Sequence, residues 1–285
     1  MAKTIGNPLS WTAGRVGDAS EHLSDSVSQL GGTAEASPPM VLDLNFGDVR
    51  AALFAGYEDF KACRADVIFI AVVYPIAGLV LMGLGLQMEL LPLLAPLVAG
   101  FAILGPVAAV GLYEMSRRRE QGKEVHWIDA FGVFRSPSSG AILILGLYLT
   151  GLFVTWMMCA QAIYAQTLGP EPPASAGAFM QDIFTTSSGW SMIVTGLVIG
   201  ALFAVVALAI SVVSFPLLLD KSVGVPVAVV TSVRVLRRNP VVILSWGCIV
   251  AGVLVLGALP MLLGLIIVVP ILGHATWHLY RRAVA

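Results

Sequence analysis

His274 and His278 are the residues of this chain whose type and spacing come nearest to chemistry. Four apart on a helix, two imidazoles share one face, a spacing that can ligate a metal. The ends of two other apolar runs carry Glu114 and Asp220, so a site of two imidazoles and two carboxylates can be drawn. The competing reading is an interfacial belt in which both histidines, with Trp277 and Tyr280, bond to headgroups or neighbouring loops. An H-x-x-x-H pair with no acid in the same helix favours the belt, so no firm metal ligands and no cofactor are expected. No nucleophile–base pair, phosphate-cradling glycine loop or catalytic carboxylate pair is visible, and the chain does not read as an enzyme.

Hydropathy sets the elements that hold these residues. Val241 to Arg282 contains no Asp or Glu and no Lys or Arg before Arg281. One helix of that length would run to roughly 60 Å, about twice the hydrocarbon thickness of a bilayer. It must cross twice, and Pro260, flanked by Gly257 and Gly264, is the cheapest place to turn. The rest obeys the same rule: 58% of residues are hydrophobic, only 12% are charged, and mean hydropathy is +0.89, whereas soluble domains carry roughly one quarter charged residues. An all-α membrane protein is expected, with six transmembrane helices as three hairpins over about 67–88, 90–113, 141–166, 190–219, 241–259 and 261–280. These make one membrane domain, 49–285. Residues 1–48, rich in Ser, Gly and acids, are expected to be a disordered cytoplasmic tail, although Val16, Leu23, Val27 and Leu30 fall at roughly helical spacing. Cys63, Cys159 and Cys248 form no C-x-x-C pair and suggest neither a disulfide framework nor a zinc site.

Charge sorts with this topology. Every one of the 16 Lys and Arg residues falls before the first run, in the loops after the second and fourth, or after the sixth. The positive-inside rule then puts both termini and the charged loops in the cytoplasm. Segments feeding the odd runs should lie as cytoplasmic interfacial helices. The first has Val49, Leu53, Phe54, Tyr57 and Phe60 at helical spacing, the second Trp127, Ile128, Phe131 and Phe134 on one face. With Pro106, Pro216 and Pro270 recurring in the even runs, the six also read as a threefold repeat of one unit, against coincidence among apolar runs. Gly196 and Gly200 supply a GxxxG face for close helix packing. Away from their ends the runs hold no Asp, Glu, Lys, Arg or His, which argues against ion pumping.

The segments GYEDF, GPVAAVGLYEMSRRRE-G, SVVSFPLLLD, SVRVL-RNP and LPMLLGLIIVVPILGHATWHLYR closely resemble the bacterial integral-membrane family called domain of unknown function 2189, over about residues 50–282. The resemblance implies a polytopic inner-membrane protein with no assigned activity. Some members have carried the label of cytochrome c oxidase subunit I, which this sequence does not support. That subunit buries haem- and copper-ligating histidines within its spans, and here none of His22, His126, His274 and His278 lies deep in one.

The expected function is that of a non-catalytic accessory, assembly or lipid-interacting factor. Its partners would be the lipid bilayer and a membrane protein, and no nucleic-acid footprint is visible. Arg117, Arg118, Arg119, Arg237 and Arg238 are the expected lipid- or partner-facing residues. The alternatives are a transporter or channel for a neutral or amphipathic solute, and a metal or haem protein built on His274 and His278.

Overall fold

The computed structural model describes residues 39–63, 67–68, 71–85 and 90–285. They are helical apart from loops and one isolated antiparallel bridge, Val41 with Val284. In chain order the α-helices are α1 (Phe46–Ala62), α2 (Val73–Gly85), α3 (Leu94–Ala108), α4 (Val110–Glu120), α5 (Ser139–Thr167) and α6 (Ala176–Thr185). There follow α7 (Ser187–Ser211), α8 (Ser214–Asp220), α9 (Gly224–Arg238), α10 (Pro240–Ala258) and α11 (Leu265–Ala283), and short 3-10 stretches cover Leu91–Leu93 and Trp127–Arg135.

Three stretches are long and apolar enough to cross a bilayer: α5, α7 continued by α8 as Ser187–Asp220, and α10. A fourth candidate is the pair Leu91–Gly100 and Ala102–Ala108, bent by 43°. Pro96 and Pro106 lie either side of that bend, and Trp156 of α5 donates its indole N–H to the Pro96 carbonyl at 2.9 Å. The apolar face of α7 points outward through Val194, Leu197, Val198 and Leu202, all exposed. Apolar side chains of that length outside the core need lipid for a solvent.

Of the first expected run, 67–88, residues 69–70 and 86–88 lie outside the described part, and what is described holds the 13-residue α2. In the sixth, 261–280, the helix starts only at Leu265, after Met261 and Leu262 take positive φ, so the chain does turn at Pro260. The second half of α11 is buried through Gly273, His274, Ala275, Trp277, Leu279 and Tyr280. That half packs inside protein, which is why α11 does not behave as a uniformly apolar span.

Packing is densest at the charged end. Trp246, Trp277, Tyr280, Phe215, Met115 and Leu217 are all fully buried there. Helix α1 crosses α11 so closely that a Cβ on Gly56 would come within 2.5 Å of the Ala275 backbone nitrogen. The stripe α1 buries is Val49, Ala52, Gly56 and Asp59, while Phe54 and Tyr57 stay exposed. Its inward face is therefore the small-residue one and not the aromatic one. Asn45 and Asp48 close a capping box that starts α1.

Two expectations are corrected. Residues 39–48 of the expected disordered tail are built into the fold, and residues 1–38, with the Val16–Leu30 spacing, lie outside the described residues. Leu42 N donates to Ala283 O and Leu44 N to Asn239 Oδ1, while Asn239 Nδ2 donates back to Leu42 O. The GxxxG face is half used: a Cβ on Gly200 would meet the Trp156 ring at 3.1 Å, but Gly196 faces open space.

Candidate functional site

Helix α4 carries the polar layer at the charged end. It turns Glu114 and Ser116 inward and Arg117, Arg118 and Arg119 towards acidic partners. One side of the layer is built on Asp59, a buried carboxylate of α1. Ser116 Oγ donates to Asp59 Oδ2 at 2.6 Å, and His278 Nε2 reaches the same oxygen at 2.8 Å. Arg119 donates to Oδ1 at 2.6 Å. Because the Ser116 proton is committed to the carboxylate, its oxygen accepts from His274 Nδ1 at 2.7 Å, which fixes the His274 tautomer. Burial raises the Asp59 pKa, but the bonds from His278 and Ser116 and the neighbouring imidazoles outweigh that and hold it below the ordinary carboxylate value.

This constellation contains a serine, a histidine and an aspartate in the wrong order for acyl transfer. The serine stands between the other two, so no imidazole is placed to take its proton and be steadied by the acid. Ser116 and His274 are each only 1% exposed, which denies a substrate access.

The other side holds the remaining expected residues. Glu114 receives Arg117 and Arg118 at 2.8 Å each, and Arg118 also holds Asp129 at 2.6 Å. Asp220 accepts from Tyr280 Oη at 2.6 Å and from Arg281 at 3.2 Å. Trp277 and Arg281 both donate to Glu120. Arg238 forms two bonds with Asp43, and Arg237 is exposed. Glu114, Asp220 and the two histidines thus share one end of the molecule without converging: each answers to a different partner. Among the described residues no group of three or more His, Cys, Asp or Glu is placed to hold a metal ion. The arginines named as lipid-facing are partly buried in ion pairs at Arg117, Arg118 and Arg119, with the Arg117 guanidinium also donating to the Leu219 carbonyl.

Asp59 and Ser116 escaped the sequence reading. The signal for Asp59 was its place in the Val49, Ala52, Gly56, Asp59 stripe, three or four apart and the smaller face of α1. Ser116 stands four residues from Leu112 on the inward face of α4.

Between α4, the 3-10 stretch Trp127–Arg135, the start of α5 and the end of α8 lies a polar pocket of about 300 Å³. Beside it Ile128, Phe131 and Phe134 are exposed, the last by 78%, over buried Ala130 and Val133. With three residues per turn, a 3-10 stretch stacks positions 128, 131 and 134 in one row.

An all-helical chain with several bilayer-length apolar helices, closed at one end by ion pairs, is an integral membrane protein. Residues 93–220 match the family described as predicted integral membrane protein, domain of unknown function 2189 (DUF2189). The matched stretch contains Glu114, Ser116, all three arginines of α4 and Asp220, but neither Asp59 nor the two histidines. No curated protein and no solved structure matches the chain.

Proposed function

We propose that the protein is a non-catalytic accessory or lipid-interacting factor of a bacterial inner membrane, with its charged end and both termini in the cytoplasm. The six runs thread the bilayer as three hairpins in this reading. Contacts at hairpin ends support it: Tyr74 Oη donates to the Ala108 carbonyl, and the start of α10 and the end of α11 are joined through Leu42. Ser138, before α5, and Asp220, at the end of α8, line one pocket.

The observation that carries the functional reading is the row Ile128, Phe131 and Phe134. It stands exposed at the end where the arginines gather, with Phe131 and Phe134 stacked at 6.4 Å. Amphipathic segments of this make-up lie in the headgroup region. The bend in α3 would serve a transporter reading, but the Pro96 carbonyl beside it already has Trp156 as donor, as a structural kink requires.

A spin label at Phe134→Cys, in a chain whose own cysteines are replaced by alanine and which is reconstituted in lipid, tests this reading. Accessibility to oxygen over a water-soluble nickel chelate is expected. A label as open to the chelate as one placed at Gln181→Cys, on exposed α6, overturns it.

A further inference from the structure

We infer that the pocket beside α4 is a binding site for the phosphate of an anionic phospholipid headgroup, an assignment that rests on the lipid-interacting reading above and names its ligand. Position comes first. Ser139 opens one bilayer-length helix and Asp220 closes another, so a pocket walled by Ser138 and Leu219–Ser222 lies where two spans leave the hydrocarbon. That is the depth of headgroups. A volume of about 300 Å³ suits a phosphate ester and its small alcohol, and the lipid tails would stay outside.

Charge comes second. The walls bring Arg117, Arg118 and Lys221, whose Nζ also donates to the Ala285 carbonyl at 3.0 Å, against two carboxylates, Glu114 and Asp220, a surplus of one positive charge. Both carboxylates are turned to other partners: Glu114 is held by the two arginines, and Asp220 by Tyr280 and Arg281. A phosphodiester carries one negative charge, which matches the surplus.

Donors come third. Arg118 spends Nε on Glu114 and Nη1 on Asp129, leaving Nη2 beside Gly132, where a Cβ would approach it to 3.1 Å. Glycine at that position keeps this edge of the guanidinium open to the pocket. The hydroxyls of Ser138 and Ser222 have no bond among the described residues, and Ser136 Oγ accepts from Ser138 N, so its own proton is free to donate. Guanidinium and hydroxyl donors around a net positive charge are the usual means of holding a phosphate. The row Ile128, Phe131 and Phe134, on the same 3-10 stretch as Gly132, gives acyl chains an apolar flank.

The test uses the full chain in detergent micelles holding equal palmitoyl-oleoyl phosphatidylglycerol and phosphatidylcholine, released for native mass spectrometry. Phosphatidylglycerol is expected to stay bound in preference to phosphatidylcholine. Ser222→Glu and Lys221→Glu, which leave the Arg–Glu114 pairs untouched, should each cut its retention about fivefold. Gln181→Glu, at the opposite end of α5, should leave it unchanged. Equal retention of the two lipids, or retention indifferent to both pocket variants, overturns the site. So does calorimetric binding of inorganic phosphate that Ser222→Glu abolishes while no lipid is retained, which would assign the pocket to a soluble phosphate. The Phe134 label separates the two ideas: lipid contact there with no retained phosphatidylglycerol sinks the pocket alone, whereas loss of lipid contact sinks the underlying reading.

Discussion

Asp59 takes a proton-rich environment and makes it a clasp between three helices, since its two oxygens receive Ser116 and Arg119 from α4 and His278 from α11. Replacing it with Asn removes the charge these donors were arranged around and leaves the buried Ser116–His274 pair without its anchor. Discounting for the partly exposed Arg119, the expected cost is about 2 kcal/mol. The sign with pH follows from a folded pKa held below the ordinary one. Stability from Asp59 is complete above the ordinary carboxylate value, about 4, and is lost as pH falls through the folded value below it. Thermal unfolding in detergent should thus show Asp59→Asn less stable than the parent at pH 7, with the gap closing under acid. A constant gap down to pH 2 would mean that the carboxylate is not the stabilising feature. The sequence made His274 and His278 legible as a pair on one face, because a four-residue spacing is local information. Their true partner was not legible, because Asp59 lies more than two hundred residues away and nothing local reports which helices cross.

At the scale of elements, α1 and α11 are held together by small residues in the middle and by a strap at the end. Asn239 is the buckle of that strap: 6% exposed, it accepts from Leu44 N at 2.7 Å and donates to Leu42 O at 3.0 Å. Asn239→Ala leaves a backbone donor and acceptor without their partner, and should destabilise by about 1–3 kcal/mol. Amide hydrogen exchange at Leu42 and Leu44 is expected to accelerate with it, while exchange in α5 and α7 stays as it was. Unchanged exchange at Leu44 would show that the strap is held from elsewhere. The sequence assigned this segment to a tail because residues 39–45 have no periodicity of their own; they are ordered by backbone bonds to Ala283 and by Arg238 on Asp43, which no composition argument sees. By contrast α5, α7 and α10 were legible nearly to their ends, since long apolar runs leave the backbone no cheaper arrangement than helix in lipid. The row 128, 131 and 134 was legible as one face, but its 3-10 winding was not.

For the whole molecule, the deciding element is α11. Its first half, Leu265 to Ile271, is apolar, and its second half is buried in protein, with His274, Trp277 and Tyr280 each 1% exposed. Two topologies follow from where the bilayer edge cuts it. If α10 and α11 both cross, the turn at Met261 and Leu262 lies on the face opposite Arg281 and Arg282, and the buried half forms the inner rim of the sixth span. If α11 only dips, that turn stays within the membrane or on the charged side. We propose that both cross: the 19 residues of α11 reach roughly 28 Å, close to the hydrocarbon thickness. The start of α10 and the end of α11, both at the charged end, are joined through Leu42, as the proposed antiparallel pair requires. A single cysteine at Leu263, which is 61% exposed, is therefore expected to react with a membrane-impermeant maleimide from outside intact cells. A reporter fused after Ala285 is expected to be active only inside. An even number of crossings keeps the two termini together whether there are four spans or six, so the reporter alone cannot choose between them, and the Leu263 label does. Labelling at Leu263 only after the cells are opened would remove the sixth crossing and, with it, the third hairpin.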